Sequence, residues 1–141
     1  MYCDTETAHI QGRTDMSFSD TFETKVLTWV FTTGTATRPT AWYVALYTAA
    51  PSDPGGGTEV SGGGYARQAV TFTVSGNTAS NNAAIEWPVA TAGYGTVTYV
   101  GVFDAATSGT LIAYAALTTS KAIDTGDVFR LPSGDLDVTL D

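Results

Sequence analysis

The chain reads as an all-β protein: a jelly-roll-like β-sandwich with one N-terminal amphipathic helix and a polar N-terminal arm. Three observations predict this. Short runs of alternating apolar and polar residues recur at roughly ten-residue spacing with turn residues between them, the rhythm of a sandwich. Charged residues make up only 14% of the 141, against roughly 25% in ordinary soluble domains. Thr, Ser and Gly fill the gap; Thr is β-branched and suits strands, while Gly and Ser suit turns. No segment recurs with a constant period, which argues against a propeller or solenoid.

Residues 1–15 form a polar, unpatterned arm, and residues 16–141 form one domain large enough for a single core. Met16 opens Met-Ser-Phe-Ser-Asp, which itself reads as a protein start, so the arm reads as an upstream extension of the frame. A polar terminal segment frays unless tied down; this one is expected to contact the domain or a neighbouring subunit. It has no basic stretch followed by an apolar one, which predicts no secretory signal. Cys3, the single cysteine, excludes an intrachain disulfide and reads as a bland thiol. His9, the single histidine, has no visible partner for metal binding or for Ser-His-Asp catalysis.

Ser19–Phe31 reads as the one helix. Ser17 or Ser19 can cap it, and Asp20 and Glu23 sit in the first turn, where the helix dipole favours anions. Phe22, Val26, Trp29 and Val30 fall on one stripe, expected to pack on the edge or end of the β core. A groove for a partner helix is the alternative use of that stripe. Thr32, Thr33 and Gly34 end the helix.

The remaining elements read as strands. Ala41–Thr48 puts Trp42, Val44 and Leu46 on one face and Tyr43, Ala45 and Tyr47 on the other. Both faces are apolar, which predicts a central strand. Tyr65–Val74 is a second strand, followed by a turn at Ser75-Gly76-Asn77. Ala83–Trp87 is a third, stopped by Pro88. Thr96–Phe103 and Thr110–Leu117 read as a hairpin across Asp104–Gly109. Asp127–Leu131 and Asp135–Leu140 read as another across Pro132-Ser133-Gly134, with Leu136, Val138 and Leu140 facing in.

Between the first two strands lies a segment with two Gly triplets, Gly55, Gly56, Gly57 and Gly62, Gly63, Gly64, together with Glu59, Tyr65 and Arg67. A phosphate-binding loop needs Lys and Ser/Thr after the last Gly and then a helix; here Tyr65-Ala66-Arg67 and a strand follow. Two readings stay open: a flexible hairpin connection, or a contact loop in which Gly permits close backbone approach.

Chemistry is sparse. Glu59, Glu86, Asp104, Asp124 and Asp127 are the carboxylates that acid–base hydrolysis would draw on. None sits in a motif, and the Asp residues lie at turns, where Asp bonds its own backbone. Asp124-Thr-Gly-Asp127 offers two oxygen donors where calcium needs six to eight. Tyr43, Tyr47, Tyr65, Tyr94 and Tyr99 could form a sugar platform but suit a core or interface better. The 14 acidic and 6 basic residues give a net charge of −8. That argues against nucleic acid and anionic membranes as partners, and no apolar run approaches the roughly 18 residues of a membrane span.

Several segments together carry a resemblance. They are the Ser-Phe-Ser-Asp helix start, Trp42-Tyr-Val-Ala-Leu-Tyr-Thr-Ala-Ala-Pro51, Thr58-Glu-Val-Ser-Gly-Gly-Gly-Tyr-Ala-Arg67 and Asn81-Asn-Ala-Ala-Ile-Glu-Trp-Pro88. Gly101-Val-Phe-Asp-Ala-Ala-Thr-Ser-Gly109, Ala115-Ala-Leu-Thr-Thr-Ser-Lys121 and Asp135-Leu-Asp-Val-Thr-Leu140 complete the set. From Met16 onward the chain resembles small virion structural proteins of tailed bacteriophages. The resemblance implies a particle component, not an enzyme, with no cofactor. A compact domain without a repetitive shaft, a polar arm and a surface rich in Thr, Ser and Tyr favour a decoration or cement protein. It would sit on the outer surface of the capsid and bridge major capsid protein subunits. The alternative is a tail- or fibre-associated protein contributing to host-surface binding. Self-association is expected, as a homodimer or else a trimer. The expected contact residues are Gly55–Gly57, Glu59, Gly62–Gly64, Tyr65 and Arg67.

Overall fold

The computed structural model describes residues 16–52 and 56–140. The N-terminal arm, with Cys3 and His9, lies outside the described residues, as does Gly55. The chain runs β1 (Ser17–Phe18), α1 (Asp20–Phe31), β2 (Trp42–Ala49), β3 (Thr58–Glu59), β4 (Gln68–Val70) and β5 (Phe72–Ser75). It continues through β6 (Thr78–Asn81), β7 (Ile85–Glu86), β8 (Gly95–Phe103), β9 (Leu111–Ile123), β10 (Arg130–Leu131) and β11 (Asp137–Thr139).

The strands make an antiparallel, all-β sandwich. The larger sheet has the order β1-β9-β8-β2-β3, with β4 also paired to β2. A three-stranded sheet, β11-β6-β5, and a two-stranded one, β10-β7, oppose it. Val44 and Leu46 of β2, Val100 and Val102 of β8, and Ala113 and Ala115 of β9 face Ile85, Trp87, Phe129, Leu131 and Leu136 across the core. Trp87 and Phe129 meet edge-to-face with ring centroids 5.3 Å apart. The opposite face of the large sheet holds a second cluster, Ala45, Tyr47, Phe103 and Leu111, with Tyr99 and Tyr114 against it. Strand β2 is therefore buried on both faces, as its two apolar faces predict.

Ser19 caps the helix: its hydroxyl accepts from the Phe22 N–H at 3.3 Å. The same hydroxyl donates to the Leu111 carbonyl, and the Ser19 N–H donates to Ile112 O at 2.9 Å. One residue thus starts the helix and rivets it to β9. At the other end Thr32 Oγ1 donates to Thr28 O at 2.6 Å and accepts from the Gly34 N–H at 3.0 Å.

Four expectations need correction. The apolar stripe of α1 does not pack into the core: the helix has no buried residue, and only Phe22 leans on the core, edge-on to Phe18 at 5.0 Å. The strand expected over Tyr65–Val74 breaks at Thr71, so β4 joins the large sheet while β5 joins β6 across the core. The second hairpin does not form: Arg130 and Leu131 pair with Glu86 and Ile85, whereas Asp137–Thr139 pair with Ser80–Thr78. Leu136 is buried but Leu140 is exposed. The cause of the hairpin failure is Asn81, whose buried side chain captures the Pro132–Leu136 turn. Its Nδ2 donates to Ala83 O and Pro132 O, and its Oδ1 accepts from the Gly134 and Leu136 N–H groups.

Candidate interaction surface

The Gly-rich segment is folded against the domain. Gly56 and Gly57 precede β3, which pairs with β2 at Tyr47 and Ala49. Gly62, Gly63 and Gly64 all take positive φ and form a turn closed by the Tyr65 N–H donating to Gly62 O at 2.9 Å. The Thr91 N–H donates to Gly63 O at 2.9 Å, so the second triplet is stitched to the loop before β8. Only Gly can hold successive left-handed conformations without strain.

Glu59, Tyr65 and Arg67 come together behind this turn. Arg67 Nε and Nη2 donate to Glu59 Oε1 and Oε2, each at 2.8 Å. Arg67 Nη1 donates to Ser108 O at 2.7 Å and Ala105 O at 3.1 Å, in the β8–β9 turn. The guanidinium carbon lies 3.5 Å from the Phe103 ring centroid, a cation–π contact. Tyr65 hydroxyl donates to Glu59 Oε1 at 2.8 Å and accepts from the Leu46 N–H at 3.0 Å. The Arg67 side chain is only 9% exposed. These side chains are spent on one another and on the backbone; the surface they leave is the Gly turn and β3.

The electrostatics follow from that geometry. Burial pushes the Glu59 carboxyl up, but hydrogen bonds from Arg67 and Tyr65 and the Arg67 charge outweigh it and hold it below its usual range. Burial pulls Arg67 down, and the Glu59 carboxylate more than reverses this. Burial, aided by the Glu59 charge, pushes Tyr47 up to about 12. Tyr65 moves the same way, again chiefly through burial.

Three of the other four candidate carboxylates, Glu86, Asp104 and Asp127, have structural partners. Glu86 lies 3.7 Å from Arg130 on the paired strand. Asp104 Oδ1 accepts from the Thr110 N–H at 2.7 Å, closing the β8–β9 turn. Asp127 Oδ2 accepts from the Asp124 N–H at 3.0 Å. Among the described residues no three His, Cys, Asp or Glu side chains gather as metal ligands would. Of the tyrosines, Tyr47 and Tyr94 are buried, Tyr43, Tyr65 and Tyr99 half-buried. Tyr65 and Tyr94 stack edge-to-face at 5.7 Å.

A second surface lies at the helix, whose apolar stripe has a partner groove as the alternative to core packing. Phe22, Val26 and Trp29 line an apolar groove of ≈ 320 Å³ against the strap Ala36–Pro39, with Lys25 and Arg38 at its edges. A second groove of ≈ 360 Å³ continues from Phe22 and Arg38 between the sheets, past Trp42, Phe72 and Val138. Beside the first groove, Leu27, Val30 and Phe31 stand in solvent, and Trp29 is itself 65% exposed. The signal was present as apolar residues at nearly every position from Val26 to Phe31.

No curated protein matches the chain. A family model described as podophage GP4 fiber I protein gp80 matches residues 17–139, covering all three sheets, the helix and the Gly-rich turn. The chain belongs to this family, and it is a structural protein of the bacteriophage virion.

Proposed function

We propose that the chain is a fibre-associated structural module of the virion, built into the particle through broad, weakly charged surfaces and acting by contact rather than catalysis. The family description, matched over residues 17–139, supports the fibre position. The observation that carries the contact role is the exposed apolar face of α1 beside its groove, which holds four of the seven exposed large hydrophobic side chains among the described residues. The committed state of Glu59 and Glu86, each paired to an arginine, suits a scaffold better than a hydrolase.

A cement role on the head, bridging major capsid protein, is the second reading. Its support is the single compact domain without a repetitive shaft. In either place the module would stabilise the assembled state by binding it preferentially. Phage particles lacking the protein separate the readings. The fibre reading expects reduced adsorption to host cells with unchanged heat tolerance of the filled head. Normal adsorption with a heat-sensitive head would overturn it in favour of cement.

A further inference from the structure

We infer that the outer edge of β5, with the groove beside it, takes an extended peptide segment of a different protein, apolar with one carboxylate between its apolar side chains. The inference holds for a fibre or a shell position and so stands apart from the choice between them. Strand β5 ends its sheet and pairs only with β6. Bonded and non-bonded pairs alternate along an antiparallel ladder. The Asn82 N–H donates to Thr71 O at 3.1 Å, so Thr71 and Thr73 turn their backbone groups toward β6. Phe72 and Val74, opposite Asn81 and Ala79, therefore turn theirs outward. Among the described residues no turn or loop backbone group bonds to either. Natural edge strands are ordinarily guarded by charge or Pro; residues 68–85 contain neither, and Val74 is 70% exposed.

The groove supplies the chemistry of the occupant. Phe72 and Val74 line the ≈ 360 Å³ groove that runs past Trp42 to Phe22. A strand added to an open edge bonds through its backbone and sends every second side chain to one face; here that face is the groove. Arg38 is exposed and lines both this groove and the one beside α1. Among the described residues Arg67 and Arg130 face Glu59 and Glu86, whereas Arg38 has no acidic partner. One unpaired cation with apolar surface on either side fits a carboxylate set between apolar side chains. A single-chain amphiphile fits less well, since its charge stands at one end.

The test is calorimetric titration of the full chain with the capped peptide Thr-Val-Thr-Asp-Thr-Val-Thr and its analogue with Lys in place of Asp. The Asp peptide should bind, and the Lys analogue at least about tenfold more weakly. Arg38→Glu should reverse that preference. Val74→Pro suits an edge strand, because the Val74 N–H serves no bond within the sheet; it should weaken the Asp peptide at least about tenfold. N-methylation of the peptide along its bonding edge should do the same with the protein unaltered, which keeps the test decisive if Val74→Pro does not fold. Absence of binding by the Asp peptide, as would follow if residues 1–15 or a second copy already filled the edge, overturns the inference. So do equal affinities for the two peptides, or a folded Val74→Pro variant that binds as wild type does. Dodecanoate bound where the Asp peptide is not would mean a lipid site and would also overturn it.

Discussion

Arg67 and Glu59 meet through two parallel hydrogen bonds of 2.8 Å, and the guanidinium's remaining arm reaches the Ser108 carbonyl at 2.7 Å. Residues far apart in sequence are thereby joined: β3, the strand after the Gly turn, and the tip of the β8–β9 hairpin. Arg is required here because its planar fork serves the carboxylate and the carbonyls at once. Arg67→Ala should destabilise the domain by about 2–3 kcal/mol, less than a fully buried pair because Glu59 stays partly exposed. Arg67→Lys should recover only part of this. Urea unfolding followed by tryptophan fluorescence checks both; a loss below about 0.5 kcal/mol, the scale of surface pairs, would mean that the clamp is ornamental.

The same cluster makes stability depend on pH at both ends of the scale. The Glu59 carboxyl titrates lower in the folded protein than in the unfolded chain. Its contribution is therefore complete above the unfolded value, about 4.3, and is lost as pH falls through the folded one. Tyr47 titrates near 12 when folded and 10.0 when free. Its contribution is complete below pH 10 and fades as pH rises toward 12; Tyr65 acts in the same direction. Glu59→Gln should flatten the acid limb of a Tm-against-pH curve, and an unchanged limb would remove Glu59 from the account.

The Gly turn offers a contrast between neighbours. Gly62 has φ +77° with open space around it, whereas a Cβ on Gly63, at φ +60°, would press on the Ala92 carbonyl. Gly62→Ala should cost about 1 kcal/mol, the penalty of the left-handed conformation alone. Gly63→Ala should cost clearly more, since the backbone of the 89–93 loop must also move. Equal losses in thermal unfolding would show that the turn yields freely.

Asn81 has all four side-chain hydrogen-bond positions used, two as donor and two as acceptor. Asn81→Ala should cost about 2–4 kcal/mol, because it strands the buried Leu136 N–H and takes the donor away from the Ala83 and Pro132 carbonyls. Asn81→Asp should be comparably damaging at neutral pH, since a carboxylate would face the Ala83 and Pro132 carbonyls. It should recover partly in acid, where protonation restores one donor. A neutral-pH Tm equal to wild type would contradict the assigned bonds.

Local pattern carried much of the fold. The cap at Ser19, the doubly apolar strand at Trp42–Ala49 and the β8–β9 hairpin are written in residues adjacent in sequence. Pairing across distance is not. Alternation in Tyr65–Val74 runs unbroken through Thr71 and gives no sign that β4 and β5 enter different sheets. Pro132-Ser133-Gly134 looks like a hairpin turn because its capture by Asn81 involves a residue some fifty positions earlier. Glu59, Tyr65 and Arg67 were legible as a special group, but not that they would turn inward on one another. The helix stripe was legible with two uses, core packing or a partner groove, and apolar periodicity alone does not choose between them because a core helix shares it.

The most direct measurement is the location of the protein in purified phage particles, by electron microscopy with a label on the chain. A fibre-associated module places the label at the tail and its fibres. Label spread over the head surface would contradict the proposed position, and its absence from intact particles would contradict a structural role in the assembled virion.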